Sequence, residues 1–168
     1  MTRLESRYRA PKQTRFSRSS VVWDAPGVEA VAAPSTLAWV AEATGYVEAA
    51  SVVENAVGAI TANSRISAPA SESTDSGAQP QLEYLLETDP MLRTRLVSLR
   101  RPGTGETLTI TSNGRGDWRV GDQAAPELRG ALDVDIRATP LTNTFPMRRL
   151  GLEVGEQREI EVAYIDTD

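Results

Sequence analysis

This chain of 168 residues contains no cysteine and no histidine. Without cysteine there are no disulfides, no thiolate nucleophiles and no thiolate-ligated metals, and the usual clue to redox compartment is gone. Without histidine there is no imidazole base, no Ser-His-Asp triad and no zinc site of the ordinary Cys/His kind. Lysine is nearly missing too: Lys12 stands alone against seventeen arginines. Aromatic residues make up only 5% of the chain. No window is apolar for long enough to cross a membrane or to form the core of a signal peptide. Any catalysis would have to rest on carboxylates, tyrosine, Lys12 or an added metal.

The net charge is −5, and it is unevenly spread. Arg3, Arg7, Arg9, Lys12, Arg15 and Arg18 face only Glu5 in the first twenty residues, so the remainder is more acidic than the whole. An acidic body argues against nucleic acid as a partner. Residues 1–20 read as a basic, flexible arm, and residues 21–168 as a single domain. With no leader sequence in view, the expected location is the cytoplasm.

The body reads as mainly β. Residues 21–31 suggest a strand, a turn at Asp24-Ala-Pro-Gly27 and a second strand. Over 37–60, Tyr46-Val47, Val52-Val53, Val57 and Ile60 favour two or three strands; the alternative is one short helix starting after Pro34-Ser35. Ser67 to Gln81 lacks Leu, Ile, Val and Phe, which predicts an exposed, mobile loop over 67–81. Leu82–Glu87, Met91–Leu99 and Glu106–Ser112 follow as strands, and Asn113-Gly114 signals a hairpin that returns through Trp118 and Val120. Successive hairpins make an antiparallel meander, expected to curl into a roll or barrel. Arg115-Gly116-Asp117 spells an adhesion tripeptide, but it falls at that hairpin turn, where Gly and Asp are expected anyway.

Gly130 to Leu150 is the densest stretch. Leu132, Val134 and Ile136 alternate with Asp133, Asp135 and Arg137, the pattern of a two-faced strand. Thr139-Pro140 should end it. Thr142, Asn143 and Thr144 suit a turn, Phe145-Pro146 stiffens the exit, and Met147–Leu152 resumes an extended run. Asp133 and Asp135 have the chemistry of an acid and base pair, although two carboxylates supply too few oxygens for a metal. The plainer reading pairs them with arginine. Arg148 and Arg149 offer forked donors suited to a phosphate or carboxylate, or to ion pairs. The last expected strand is Arg158–Ile165, with Ile160, Val162 and Tyr164 facing one way.

Leu132-Asp-Val-Asp135, Thr139-Pro140, Thr142-Asn-Thr144, Pro146 and Arg148-Arg-Leu150 together resemble the signature of a bacterial family of putative glycolipid-binding proteins. Tyr84–Leu99, Gly114-Arg-Gly-Asp-Trp118, Pro126-Glu-Leu-Arg-Gly130 and Gly155–Ile165 fall in that family's order and spacing, so the resemblance runs from Leu82 to Ile165. The chain departs from the pattern at Ala131, where the family has a small residue, often cysteine, and at Leu92, where it usually has Trp. The family usually continues beyond the position of Asp168, which predicts an open sheet edge here and a homo-oligomer formed through it. The resemblance implies a β roll or barrel that binds a lipid or glycolipid in an apolar cavity, without catalysis, cofactor or metal. Trp118, Asn143, Arg148 and Arg149 would meet the polar head. Asp133, Asp135, Thr139, Pro140, Thr144 and Pro146 would be structural positions of the signature. Two other readings stand beside it: an oligomeric structural or interaction module, and an enzyme using Asp133 and Asp135.

Overall fold

A computed structural model describes residues 14–17, 34–42, 44–69 and 80–167. The strands expected at 21–31, most of the arm at 1–20 and the centre of the loop at 67–81 lie outside the described residues.

The protein is mainly β. Nine strands hydrogen-bond in sequence order into one sheet: β1 (Thr14–Ser17), β2 (Ser35–Ala41), β3 (Val47–Glu54), β4 (Ile60–Ser67), β5 (Pro80–Thr88), β6 (Thr94–Arg100), β7 (Thr107–Ser112), β8 (Trp118–Val120) and β9 (Gln123–Ala124). Every neighbouring pair is antiparallel. This is the expected meander. It is an open sheet, since β1 and β9 end the strand order without pairing to each other, so the closed-barrel version of the expectation does not hold. Over 37–60 the β-branched residues prevail, and the helical alternative is replaced by β2, β3 and the start of β4. Alanine favours helix only weakly, and cross-strand pairing overrides it.

Register sorts the residues into two faces. On the inner face, Leu37, Ala50, Ser64, Tyr84, Leu99 and Leu108 form one row across β2 to β7. Ala62, Leu86, Val97 and Ile110 form the next. These residues build the core with Trp39, Ile60 and Trp118. On the outer face, Ala38, Ala49, Arg65, Glu83, Arg100 and Thr107 form a row, and Thr36, Ser51, Asn63, Leu85, Ser98 and Thr109 form another.

The chain then leaves the meander. A 3-10 turn at Pro126–Leu128 leads to β10 (Asp133–Ile136), helix α1 (Leu141–Leu150) and β11 (Val162–Ile165). β10 and β11 pair in parallel as a separate two-stranded sheet, with Asp135 opposite Tyr164. The purely antiparallel expectation therefore fails at this end, because a parallel pair needs a crossover and α1 lies within it. The last strand is shorter than the expected Arg158–Ile165, and Ala163 and Ile165 are its buried residues, with Val162 and Tyr164 half-buried.

The larger correction is α1 itself. The Thr142-Asn-Thr144 turn and the extended run from Met147 are one helix. Pro140 precedes it with helical dihedrals, where a missing N–H costs nothing. Gly151 ends it in the left-handed region at φ 62°, and its N–H donates to the Arg148 carbonyl at 3.2 Å. Arg148 and Arg149 sit in the last turn, where the helix dipole favours cations. Pro146 costs a helical hydrogen bond, offset by burial of Leu141, Thr142, Phe145 and Pro146. Ile136, Leu141 and Phe145 close over the inner face, which places the core between the sheet and the β10–α1–β11 unit.

Candidate functional site

The outer face carries an open-sided depression of about 320 Å³, whose lining includes Ala49, Ser51, Asn63, Arg65, Glu83, Ser98 and Arg100, with Leu85 standing between Asn63 and Ser98. Its origin lies in the register. Small side chains occupy neighbouring positions on β3, β4 and β6, so the sheet face sinks there between longer ones. Glu83 stands between two cations: it meets Arg65 at 3.0 Å and Arg100 at 3.2 Å. Those arginines are 44% and 59% exposed, so each still turns guanidinium N–H groups toward solvent. Hydroxyl, amide, guanidinium and carboxylate groups thus share one hollow, a set suited to a polyhydroxylated or anionic head group. Register partners Val40 and Val47, both exposed, extend the same face one row beyond Ala38 and Ala49.

The inner face holds a second polar cluster. Glu48 is 2% exposed. Its Oε1 accepts hydrogen bonds from Ser64 Oγ at 2.6 Å, Tyr84 OH at 2.6 Å and Thr139 Oγ1 at 2.9 Å. Burial pushes the Glu48 carboxyl above its ordinary range, and the three hydroxyls, with a smaller contribution from the Trp39 indole, pull part of the way back. Burial and the Glu48 charge raise the Tyr84 phenol well above its usual value. Thr139 also accepts from the Leu141 N–H at 3.0 Å. Glu48 on β3 is therefore fastened to the residue that leads into α1.

The signature residues divide between these settings. Arg149 pairs with Asp133, which is 1% exposed. Burial raises the Asp133 carboxyl, and the neighbouring Arg149 offsets part of this. Asp135 is also raised by burial, with relief from the Thr142 hydroxyl. Thr142 and Arg149, seven residues apart on α1, share the helix face turned to β10. The two aspartates are engaged there by α1, and neither lines the depression.

Trp118, Asn143, Arg148 and Arg149 are not gathered at the depression either. Trp118 is buried and donates from Nε1 to the Ala131 carbonyl at 2.8 Å. Asn143 is exposed on α1. Arg148 turns to Glu54 at 3.2 Å. Thr144 is half-buried and Pro146 buried on the helix, and Pro140 precedes it. Among the described residues no group of three or more carboxylates gathers to hold a metal, and no helix is long and apolar enough to cross a membrane.

Sequence reasoning missed Glu48 and the Arg65–Glu83–Arg100 row. In β3 Glu48 and Glu54 fall in one alternating set with Ala50 and Val52, whereas Val47, Ala49, Ser51 and Val53 carry no charge, so the local pattern would turn Glu48 outward rather than bury it. The row exists only through pairing of β4 with β5 and of β5 with β6. The alternation of Arg65 and Arg100 with aliphatic neighbours could have placed them on an outer face, but not beside each other.

An open nine-stranded meander carries a β-α-β unit with its own two-stranded sheet across one face, and on the other a hollow lined by polar side chains, Ala49 and Leu85. The profile of the family described as "Putative glycolipid-binding" matches residues 36–168, and the chain belongs to that family. A crystal structure of a DUF1089 family protein from Pseudomonas aeruginosa is similar, with 29% sequence identity and a TM-score of 0.51, over 87% of this chain and 71% of that one. Comparison with curated proteins finds no match.

Proposed function

We propose that this chain binds an amphipathic lipid or glycolipid without converting it, and that the polar head lodges in the outer-face depression between Arg65 and Arg100. The observation that carries this reading is the hollow lined by Ser51, Asn63, Leu85 and Ser98 beside the Arg65–Glu83–Arg100 row. Sugar hydroxyls would exchange hydrogen bonds with the serines, Asn63 and Glu83, and a phosphate or carboxylate would meet the two partly exposed guanidinium groups. An acyl chain would run along Val40 and Val47, which are 42% and 41% exposed. The inner face favours this placement, because Ile60, Leu86 and Val97 there are packed against the core. The family to which the chain belongs supports a lipid-bearing ligand.

The test is native mass spectrometry of the protein as purified from cells, followed by solvent extraction. The expected result is a co-purifying mass of lipid size. In the double variant Arg65→Gln with Arg100→Gln, its occupancy should fall about tenfold, the loss expected when charge-assisted hydrogen bonds worth about 1.5 kcal/mol are removed. A clean apo mass from the wild type under gentle conditions overturns the reading.

A further inference from the structure

Buried polar atoms nearly always find a partner, and leaving one without is costly. Among the described residues four buried side-chain atoms have none: Glu48 Oε2, Asp133 Oδ1, Arg149 Nε and the Tyr164 hydroxyl. The first belongs to the inner cluster, where three hydroxyls already hold the other oxygen of Glu48. The other three belong together, in the layer between α1 and the β10–β11 pair.

Register puts them there. Asp133 and Asp135 are alternate residues of β10 and share a face. Tyr164 stands opposite Asp135 on β11, so it projects to the same side. Helix α1 covers that side, through Arg149 on Asp133 and through Thr142 on Asp135 at 3.5 Å. Val134, Ile136, Ala163 and Ile165 occupy the opposite face of the pair and are buried in the core. The layer is thus polar on a sheet whose other face is apolar. It is enclosed without being sealed. The Asp133 side chain is 2% exposed, but that of Arg149 is 16% exposed, and Asp135 and Tyr164 are half-buried.

The ion pair in this layer uses half of its capacity. Arg149 Nη2 donates to Asp133 Oδ2, while Asp133 Oδ1 and the Arg149 Nε–H stay unpaired. A forked pair would engage both oxygens and two N–H groups. The unpaired atoms set the chemistry of what fits. Asp133 Oδ1 calls for a donor, Arg149 Nε–H calls for an acceptor, and the Tyr164 hydroxyl takes either. A fully ionised anion has no donor and would be repelled by Asp133 and Asp135. A cation such as ammonium has no acceptor and would be repelled by Arg149. A neutral hydroxyl donates and accepts at one oxygen, and a compound with several hydroxyls can serve Tyr164 as well.

We infer that the layer between α1 and the β10–β11 pair is a second binding site, which takes a small neutral polyol, or the equivalent hydroxyls of a sugar, on Asp133, Arg149 and Tyr164. These residues come from β10, α1 and β11, so the ligand ties the helix to both strands. None of them lines the outer-face depression. The site therefore stands whether or not that depression takes a lipid.

Titration of the full chain with myo-inositol tests it, followed by ligand-observed NMR and by thermal unfolding. The wild type should bind saturably and unfold at a higher temperature when loaded; saturation separates binding from the general stabilisation that excluded polyols give. Inorganic phosphate and ammonium, as charged probes, should not compete. Tyr164→Phe deletes only the hydroxyl, and Arg149→Lys keeps the cation while deleting Nε. Each should weaken myo-inositol binding about tenfold, the loss expected for one hydrogen bond to a buried partner. Without ligand, Tyr164→Phe should unfold at or above the wild-type temperature, because an unpartnered buried hydroxyl stabilises nothing. A lower midpoint for unliganded Tyr164→Phe would show that the hydroxyl is already bonded within the protein, and overturns the inference. So does absence of wild-type binding at millimolar myo-inositol, which would leave the layer to ordered water, and so does binding unchanged in both variants. Arg65→Gln with Arg100→Gln separates the two sites. Binding kept in that variant and lost in Tyr164→Phe supports the layer, and the reverse assigns the polyol to the depression and overturns the inference.

Discussion

Glu48 and Glu83 lie on neighbouring regions of one sheet and face opposite ways. Glu48 turns inward, has no cation beside it in any described contact, and is held by the hydroxyls of Ser64, Tyr84 and Thr139. Glu83 turns outward, with its side chain 23% exposed between Arg65 and Arg100. The inner acid is charged only at the cost of desolvation, so it acts through what it fastens: β3, β4, β5 and the lead-in to α1. The outer acid stays solvated, and its ion pairs stabilise little. The inner face converts polar groups into architecture, and the outer face leaves them partly exposed to solvent. Substitutions on the two faces should therefore separate cleanly, with stability lost on one and binding on the other.

The largest effect should come from the buried ion pair. Arg149→Ala strands Asp133, whose side chain is 2% exposed, and should cost about 3 kcal/mol in denaturant unfolding. Asp133→Leu combined with Arg149→Met should recover most of that loss, because the core then closes without a charge to compensate. If the double variant remains as unstable as the single one, the pair matters for geometry rather than charge. A smaller loss, about 1–2 kcal/mol, is expected for Thr139→Val, which removes a donor to Glu48 and the acceptor for the Leu141 N–H. An unfolding midpoint indistinguishable from wild type would show that the cluster does not anchor α1.

The inner face should also announce itself in the pH dependence of stability. Glu48, Asp133 and Asp135 are all raised by burial. A raised acid binds more protons folded than unfolded, so its contribution is fully present below the ordinary value, 4.5 for Glu48. That contribution is lost as pH rises through the folded value. Asp89 works the other way. Its burial is outweighed by hydrogen bonds from Arg93 and Met91 and by the Arg93 charge, and its folded value is lowered. Its stabilisation holds above the ordinary range and disappears as pH falls through the lowered value. Glu48→Gln should flatten the decline in stability from pH 4.5 upward, measured by urea midpoints across that range. A decline as steep as that of the wild type would mean that Glu48 does not titrate in the folded protein.

How much of this was legible follows from which signals are local. Alternation at Leu132, Val134 and Ile136 marked β10, and the runs around Leu82 and Leu108 marked the meander, because side-chain period two is written in consecutive residues. The Asp133–Arg149 pair was anticipated in kind, as acid with arginine, but not as a contact between a strand and a helix. Helix α1 was hidden by Pro146 and by a Thr-Asn-Thr run that favours turns. Its C-terminal signal, Arg148-Arg149 before Gly151, stands in the sequence but was read as part of an extended run. Its helical state comes from burying Phe145 and Leu141 against a sheet assembled from distant sequence. Glu48 and the Arg65–Glu83–Arg100 row depend wholly on register, and register is a property of pairs of strands, not of either strand alone.

The smallest stability effect should fall on the outer face, and it is the one that most sharpens the contrast. Arg65→Gln with Arg100→Gln removes two half-solvated ion pairs and should change stability by less than about 1 kcal/mol, since exposed pairs gain little Coulomb energy and lose side-chain entropy. The same variant should lose most of its bound lipid. A thermal midpoint near the wild-type value together with an emptied site would show that the row recognises a ligand without holding up the sheet. If stability instead falls as far as it does for Arg149→Ala, the outer row is structural like the inner cluster, and the difference between Glu48 and Glu83 is only one of exposure.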